Sequence, residues 1–115
     1  HAVNFTEVLR YLKDHLNRYE PSFSSKLVAT HDPDKPVWDR YVLNYIGLSA
    51  PSYNSPSKFD DAENTYQKIQ DWFLSYERSR DGTMIVRKFD ELVSDHAGIS
   101  NTKKIDFVLW QTRRQ

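Results

Sequence analysis

The apolar residues of this chain recur every three or four positions almost from end to end, and that period restricts what it can fold into. Residues 4 to 19 read "NFTEVLRYLKDHLNRY", with Phe5, Val8, Leu9, Leu12, Leu16 and Tyr19 on one stripe. Such spacing paints one face of an α-helix, whereas a half-buried strand would alternate every second residue. Asn4, followed three residues later by Glu7, has the form of a capping box with Asn in place of Ser or Thr. Pro21 closes this helix.

The same period predicts five further helices. "PSFSSKLVATHD" begins at Pro21 and is expected to bury Phe23, Leu27 and Val28; Pro33 and Pro36 end it, because proline disfavours helical dihedrals in the residue before it. A third helix spans about 37 to 46, with Trp38, Tyr41, Val42, Tyr45 and Ile46 on its packing face and Gly47 as a left-handed stop. "LSAPSYNSPS", residues 48 to 57, is the longest loop. The fourth helix runs from about 58 to 79 with Phe59, Ala62, Tyr66, Ile69, Phe73 and Tyr76 inward, and Asp81-Gly82 reads as a turn after it. The fifth covers about 83 to 97, burying Ile85, Val86, Phe89, Leu92 and Val93, with Gly98 as its C′ residue. The last starts near Ser100 or Asn101 and packs through Ile105, Val108, Leu109 and Trp110. With 115 residues the chain holds one core, so the expectation is an all-α, compact single-domain bundle of about six helices.

Composition narrows the function classes. Sixteen basic and sixteen acidic side chains leave no net charge, so any nucleic-acid binding must rest on a local patch instead of a bulk field. No cysteine occurs, which excludes disulfides and thiolate metal sites and makes the cytoplasm the default location. No apolar run approaches the roughly 18 residues of a membrane span, and no secretory leader is read at the start. Among His1, His15, His31 and His96 no pair has metal-ligand spacing. "Asp32-Pro-Asp34" lacks the spacing of a calcium loop. No cofactor is implied.

The stretch with chemical interest is "KPVWDRYVLNYIGL", residues 35 to 48. An aspartate in a helix's first turn ordinarily opposes the positive end of the macrodipole. The same stretch resembles the segment that helix-hairpin-helix base-excision DNA glycosylases carry after their hairpin: proline, valine, aspartate, then hydrophobics on the next helix. The resemblance falls on Pro36, Val37 and Asp39, with Trp38 interposed, and on Val42, Tyr45 and Ile46 behind them. It implies that Asp39 stabilises the charge developing on a flipped-out nucleotide's sugar. The family's glycine hairpin is missing, since no Gly precedes Gly47, and Lys26 stands 13 residues before Asp39, closer than that family's lysine nucleophile.

Lys26 and His31 are therefore candidates for a second catalytic group, with a surface lysine and a helix-ending histidine as their plainer readings. Ser24 and Ser25 lack the Gly-x-Ser-x-Gly elbow of a nucleophile. At the C-terminus, Lys103, Lys104, Arg113 and Arg114 face a single Asp106, and their convergence would build a phosphate-binding patch beside Trp110. Tyr53, in a Ser/Pro/Asn loop, and Trp72, beside the fourth helix's stripe, are candidates for contact with another protein. Two expectations follow: a DNA-associated domain related to the aspartate-bearing half of the glycosylases, or a non-catalytic interaction or scaffold domain. No membrane partner is expected.

Overall fold

The computed structural model describes residues 3–112, which form six α-helices and one short 3-10 turn, with no strand among the described residues. They are α1 (Phe5–Leu16), α2 (Pro21–His31), α3 (Arg40–Ile46), α4 (Lys58–Arg78), α5 (Arg80–Leu92) and α6 (Asn101–Thr112). The long α4 is the spine: α1, α3, α5 and α6 all pack on it, α2 packs on α1, and α6 also touches α3 and α5.

Local chemistry explains most boundaries. Asn4 caps α1 by accepting the Glu7 N–H at 2.9 Å, and its amide donates to the Glu7 carboxylate at 2.8 Å. The helix ends because Asn17 turns left-handed (φ 53°), letting its N–H and that of Arg18 return to the carbonyls of Lys13 and Leu12. Pro21 then opens α2, where its missing N–H costs nothing. Gly47 closes α3 at φ 80°, as its sequence position predicts.

Several boundaries and faces differ from the sequence expectation; on the fifth helix, Ile85, Val86, Phe89 and Val93 are only partly buried and Leu92 is 73% exposed, because that helix lies at the bundle's edge. Val28 is buried as expected, but Phe23 and Leu27 stand outward, and α2 buries Ser24, Ser25 and Ala29 in their place. The serines can be buried because their hydroxyls donate to the carbonyls of Glu20 (2.6 Å) and Ser22 (2.8 Å) within the helix. Asp81-Gly82 is no turn: both lie in the first turn of α5, which starts straight after α4 at Ser79. Ser79 ends one helix and caps the other, accepting the Gly82 N–H at 3.0 Å. A Cβ on Gly82 would lie 1.8 Å from the Tyr76 carbonyl oxygen, so the glycine is there to let α5 leave against α4's last turn. Finally, α5 stops at Leu92, and Gly98 ends the separate His96–Gly98 turn.

The core is aromatic at its centre. Phe5 stacks on Tyr66 at 4.2 Å between centroids and lies parallel to Trp38 at 6.1 Å, with Leu9, Val42, Ile69, Phe73 and Ile105 closing around them. Trp38 thus belongs to the core, but from the extended segment before α3 and not from the helix itself.

Candidate functional site

Everything about Asp39 is set by the segment before it. Residues 32 to 38 cross the bundle with no regular structure, so their backbone groups need partners from elsewhere. They find them in side chains of three helices and the turn before α6. Ser25 Oγ of α2 accepts the Trp38 N–H at 2.7 Å, and the Tyr66 hydroxyl of α4 donates to the Pro36 carbonyl at 2.8 Å. Thr102 of α6 donates to the Asp34 carbonyl at 3.0 Å, and Ser100 just before it to that of Pro33 at 2.6 Å. Burial raises the Tyr66 phenol beyond its ordinary range, so it stays a proton donor.

This fixed segment delivers Asp39 to the mouth of α3. Its Oδ1 accepts the N–H of Tyr41 at 2.6 Å and of Val42 at 3.2 Å, filling two of the helix's orphan donors. Asp39 is half-buried and lies near enough to Asp106 of α6 to act on its carboxyl. Burial pushes the Asp106 carboxyl up to about 6; Asp39 pushes the same way, while Lys103 opposes them. Oδ1 of Asp106 is buried without a hydrogen-bond partner among the described residues. A concavity of about 430 Å³ lies beneath the 32–38 segment, but Asp39 does not line it. Much of its polar wall is internally paired, Lys35 to Gln70 at 3.3 Å and Asn101 to Glu77 at 2.9 Å.

The other residues singled out from the sequence are scattered. Lys26 is exposed on α2, and His31 is exposed at that helix's last position. Lys103 is half-buried near Asp106. Lys104 is only 5% exposed, and its ammonium is 2.6 Å from Asp90 of α5, a carboxylate that His96 also approaches at 3.3 Å. Its charge is committed inside the bundle. Arg113 and Arg114 lie outside the described residues. No cluster of three His, Asp or Glu side chains suited to a metal ion occurs among the described residues.

A second arrangement was hidden by the helix stripes. On the seven-residue α3, Val42 and Leu43 are buried, which turns Tyr41 and Tyr45, one helical turn apart, to the outside. Tyr45 is 52% exposed and meets the edge of Trp72 at 6.0 Å; Trp72 in turn stacks on Tyr76 at 4.7 Å, one turn further along α4. At the other end of α3, Tyr41 tilts against Trp110 at 5.7 Å. The result is a row of partly exposed rings shared by α3, α4 and α6. The Trp72 indole and the phenols of Tyr45 and Tyr76 make no hydrogen bond among the described residues. Burial, then Tyr45 and Asp81, push the Tyr76 phenol up, so it too stays a donor. Tyr41, Tyr45 and Tyr76 look like core residues in the sequence; the available signal for this face was the pair of aromatics one turn apart on each helix.

Comparison with protein-family models, with curated proteins and with solved structures finds no match to the chain. No helix among the described residues is long and apolar enough to cross a membrane.

Proposed function

We propose that the chain is a non-catalytic interaction module whose aromatic face on α3 and α4 receives an extended, proline-rich segment of another protein. The observation that carries this reading is the Tyr45–Trp72–Tyr76 arrangement: ring faces and edges at 4.7 and 6.0 Å, carrying hydrogen-bond donors that find no partner among the described residues. A polyproline II segment offers the complement. It is pre-extended, carries flat apolar rings, and leaves its carbonyls free to accept from Trp and Tyr. Ordering such a segment costs little entropy, so a small face suffices.

Charge at the same face is mixed and offers nucleic acid no basic track, since Arg40, over the Tyr41 ring at 5.2 Å, stands among carboxylates. Asp81 lies beside Tyr76, and Asp39 and Asp106 lie near one another where α3 meets α6. Of the basic groups invoked for phosphate, Lys104 is paired inside the bundle. Bases could stack on these rings, but their phosphates would meet carboxylates as well as Arg40. Asp39, for its part, already spends one oxygen on two backbone donors.

The test is fluorescence anisotropy of a labelled oligoproline peptide, run beside duplex DNA with and without an abasic-site analogue at two salt concentrations. Saturable peptide binding that weakens by roughly tenfold or more in Tyr45→Ala supports the interaction module. Tyr45 is exposed, so that variant keeps its fold. Salt-sensitive preference for the abasic duplex, lost in Asp39→Asn, overturns it in favour of the glycosylase-related reading.

A further inference from the structure

Tyr53, the exposed aromatic of the 48–57 loop, is not isolated. It closes a box with Tyr19, which follows α1, and Phe59, in the first turn of α4. Tyr19 meets Tyr53 edge-on at 5.7 Å and 76°, and meets Phe59 edge-on at 5.1 Å and 85°. Rings set perpendicular in this way present both faces and edges to one small space. Within it lies the ammonium of Lys58, 3.8 Å from the centroid of Tyr53, 5.0 Å from Tyr19 and 5.9 Å from Phe59. We propose that Tyr19, Tyr53 and Phe59 form a receptor for an N-methylated ammonium group, with Lys58 as its internal stand-in.

Three observations support a binding site over a mere loop staple. Lys58 is the first residue of α4, where the macrodipole disfavours a cation, so its seat is held by the rings and not by the helix. Tyr53 is 66% exposed, so no apolar core demands a ring at that place. Asp61 supplies a fixed negative charge: the hydroxyls of Ser55 (3.0 Å) and Ser57 (3.2 Å) donate to it, and it lies close enough to Tyr19 to act on its phenol, whose oxygen is buried without a partner. Phe59 is shared with Lys13 at 4.9 Å and Arg10 at 5.6 Å, which leaves Tyr19 and Tyr53 as the principal walls.

The chemistry of the occupant follows from hydration. A primary ammonium is a compact, strongly hydrated charge, and most of its attraction to a ring is offset by the water it gives up. Methyl groups spread that charge and shed water readily, which is why aromatic cages select quaternary ammonium ions. An incoming methylated ammonium therefore replaces Lys58 in the box, and the displaced side chain turns to solvent. The group can arrive on a methylated lysine of a protein or on a small choline-like molecule.

Titration of the wild type and of Lys58→Ala with tetramethylammonium, followed by amide NMR against matched sodium chloride, tests the site. The expected result is saturable shifts at Tyr19, Tyr53 and Phe59, roughly tenfold tighter in Lys58→Ala than in wild type and absent in the Lys58→Ala/Tyr53→Ala pair. The spectra themselves report that each variant is folded. Shifts indistinguishable from those of sodium chloride, or an affinity unchanged by loss of Tyr53, overturn the proposal. With the site established, a trimethyl-lysine peptide that binds more tightly than both choline and its unmethylated counterpart assigns the group to a modified protein; the reverse order assigns it to a small molecule.

Discussion

The segment before α3 and the α5 helix are both held to the bundle, but by opposite means. The 32–38 segment has no secondary structure and is fixed by four hydrogen bonds from other elements and by one deeply buried tryptophan. α5 has full secondary structure but no fully buried apolar side chain: its one buried residue is Gly82, Val86 reaches the core only partly buried, and Leu92 at its end is 73% exposed. What ties α5 to α6 includes an ion pair, Asp90 with the buried Lys104, and the edge contact of Phe89 with the exposed Phe107. Regular structure and anchoring are thus separate properties. Irregular backbone survives where side chains satisfy it, and a helix can be held by partly buried side chains along its neighbours without a deeply buried one of its own.

Trp38→Ala attacks the first mode and has the largest expected effect. It empties the space beside Phe5 and leaves the segment to its backbone hydrogen bonds, Ser25's among them, so a loss of about 3–5 kcal/mol is expected in urea unfolding. A loss near that of an exposed aromatic would mean that the hydrogen bonds alone anchor the segment.

Asp90→Ala attacks the second. It leaves the Lys104 ammonium buried without its carboxylate, and a buried pair broken on one side costs several kcal/mol. Asp90 itself is about one-third exposed, so water can reach the survivor and the expectation is reduced to about 2 kcal/mol. The double replacement Asp90→Leu/Lys104→Met removes both charges and should be near neutral, since apolar side chains of similar volume then fill the space. If both variants are equally damaging, the pair stabilises by its own attraction and not merely by avoiding a lone buried charge.

The sequence left both regions partly unread, while other parts of the chain were plain. Capping at Asn4, the stop at Gly47 and the inward stripe of α4 obey local rules and are legible from residues three or four apart. The burial of Ser24 and Ser25 is not, because it depends on Ser25 meeting Trp38 from thirteen residues away. Hydrophobic pattern alone favours Phe23 and Leu27 for that place, and nothing local says that two self-bonded serines will win it. Gly82 misled for a related reason: a glycine wanted for close approach to Tyr76 has the same signature as one wanted for a turn. Lys104 looks basic in the sequence, and only the position of Asp90 on another helix reveals its charge as internal. The candidate site is split in the same way. Asp39 at a helix start is a local feature, whereas the rings around Trp72 and around Lys58 come from separate elements and are joined only by the fold.

The smallest effect sharpens what Asp39 does. As a cap on two N–H groups it should be worth about 1 kcal/mol, so Asp39→Ala loses about that much and Asp39→Asn, which still offers an oxygen, loses little. Its effect on Asp106 has the opposite sign. The Asp106 carboxyl is raised from 3.8 to about 6 in the folded chain, chiefly by burial. A raised carboxyl favours folding while protonated; that contribution is whole below the unfolded value and is lost as pH climbs through the folded one. Removing the neighbouring Asp39 charge lowers the Asp106 value, so the Asp39→Ala variant should lose less stability than wild type between pH 4 and 6. Denaturant midpoints across that interval check this, with Asp106→Asn as the reference in which the dependence due to Asp106 vanishes. Equal slopes in Asp39→Ala and wild type would mean that the two carboxylates do not interact, and that Asp39 serves α3 alone.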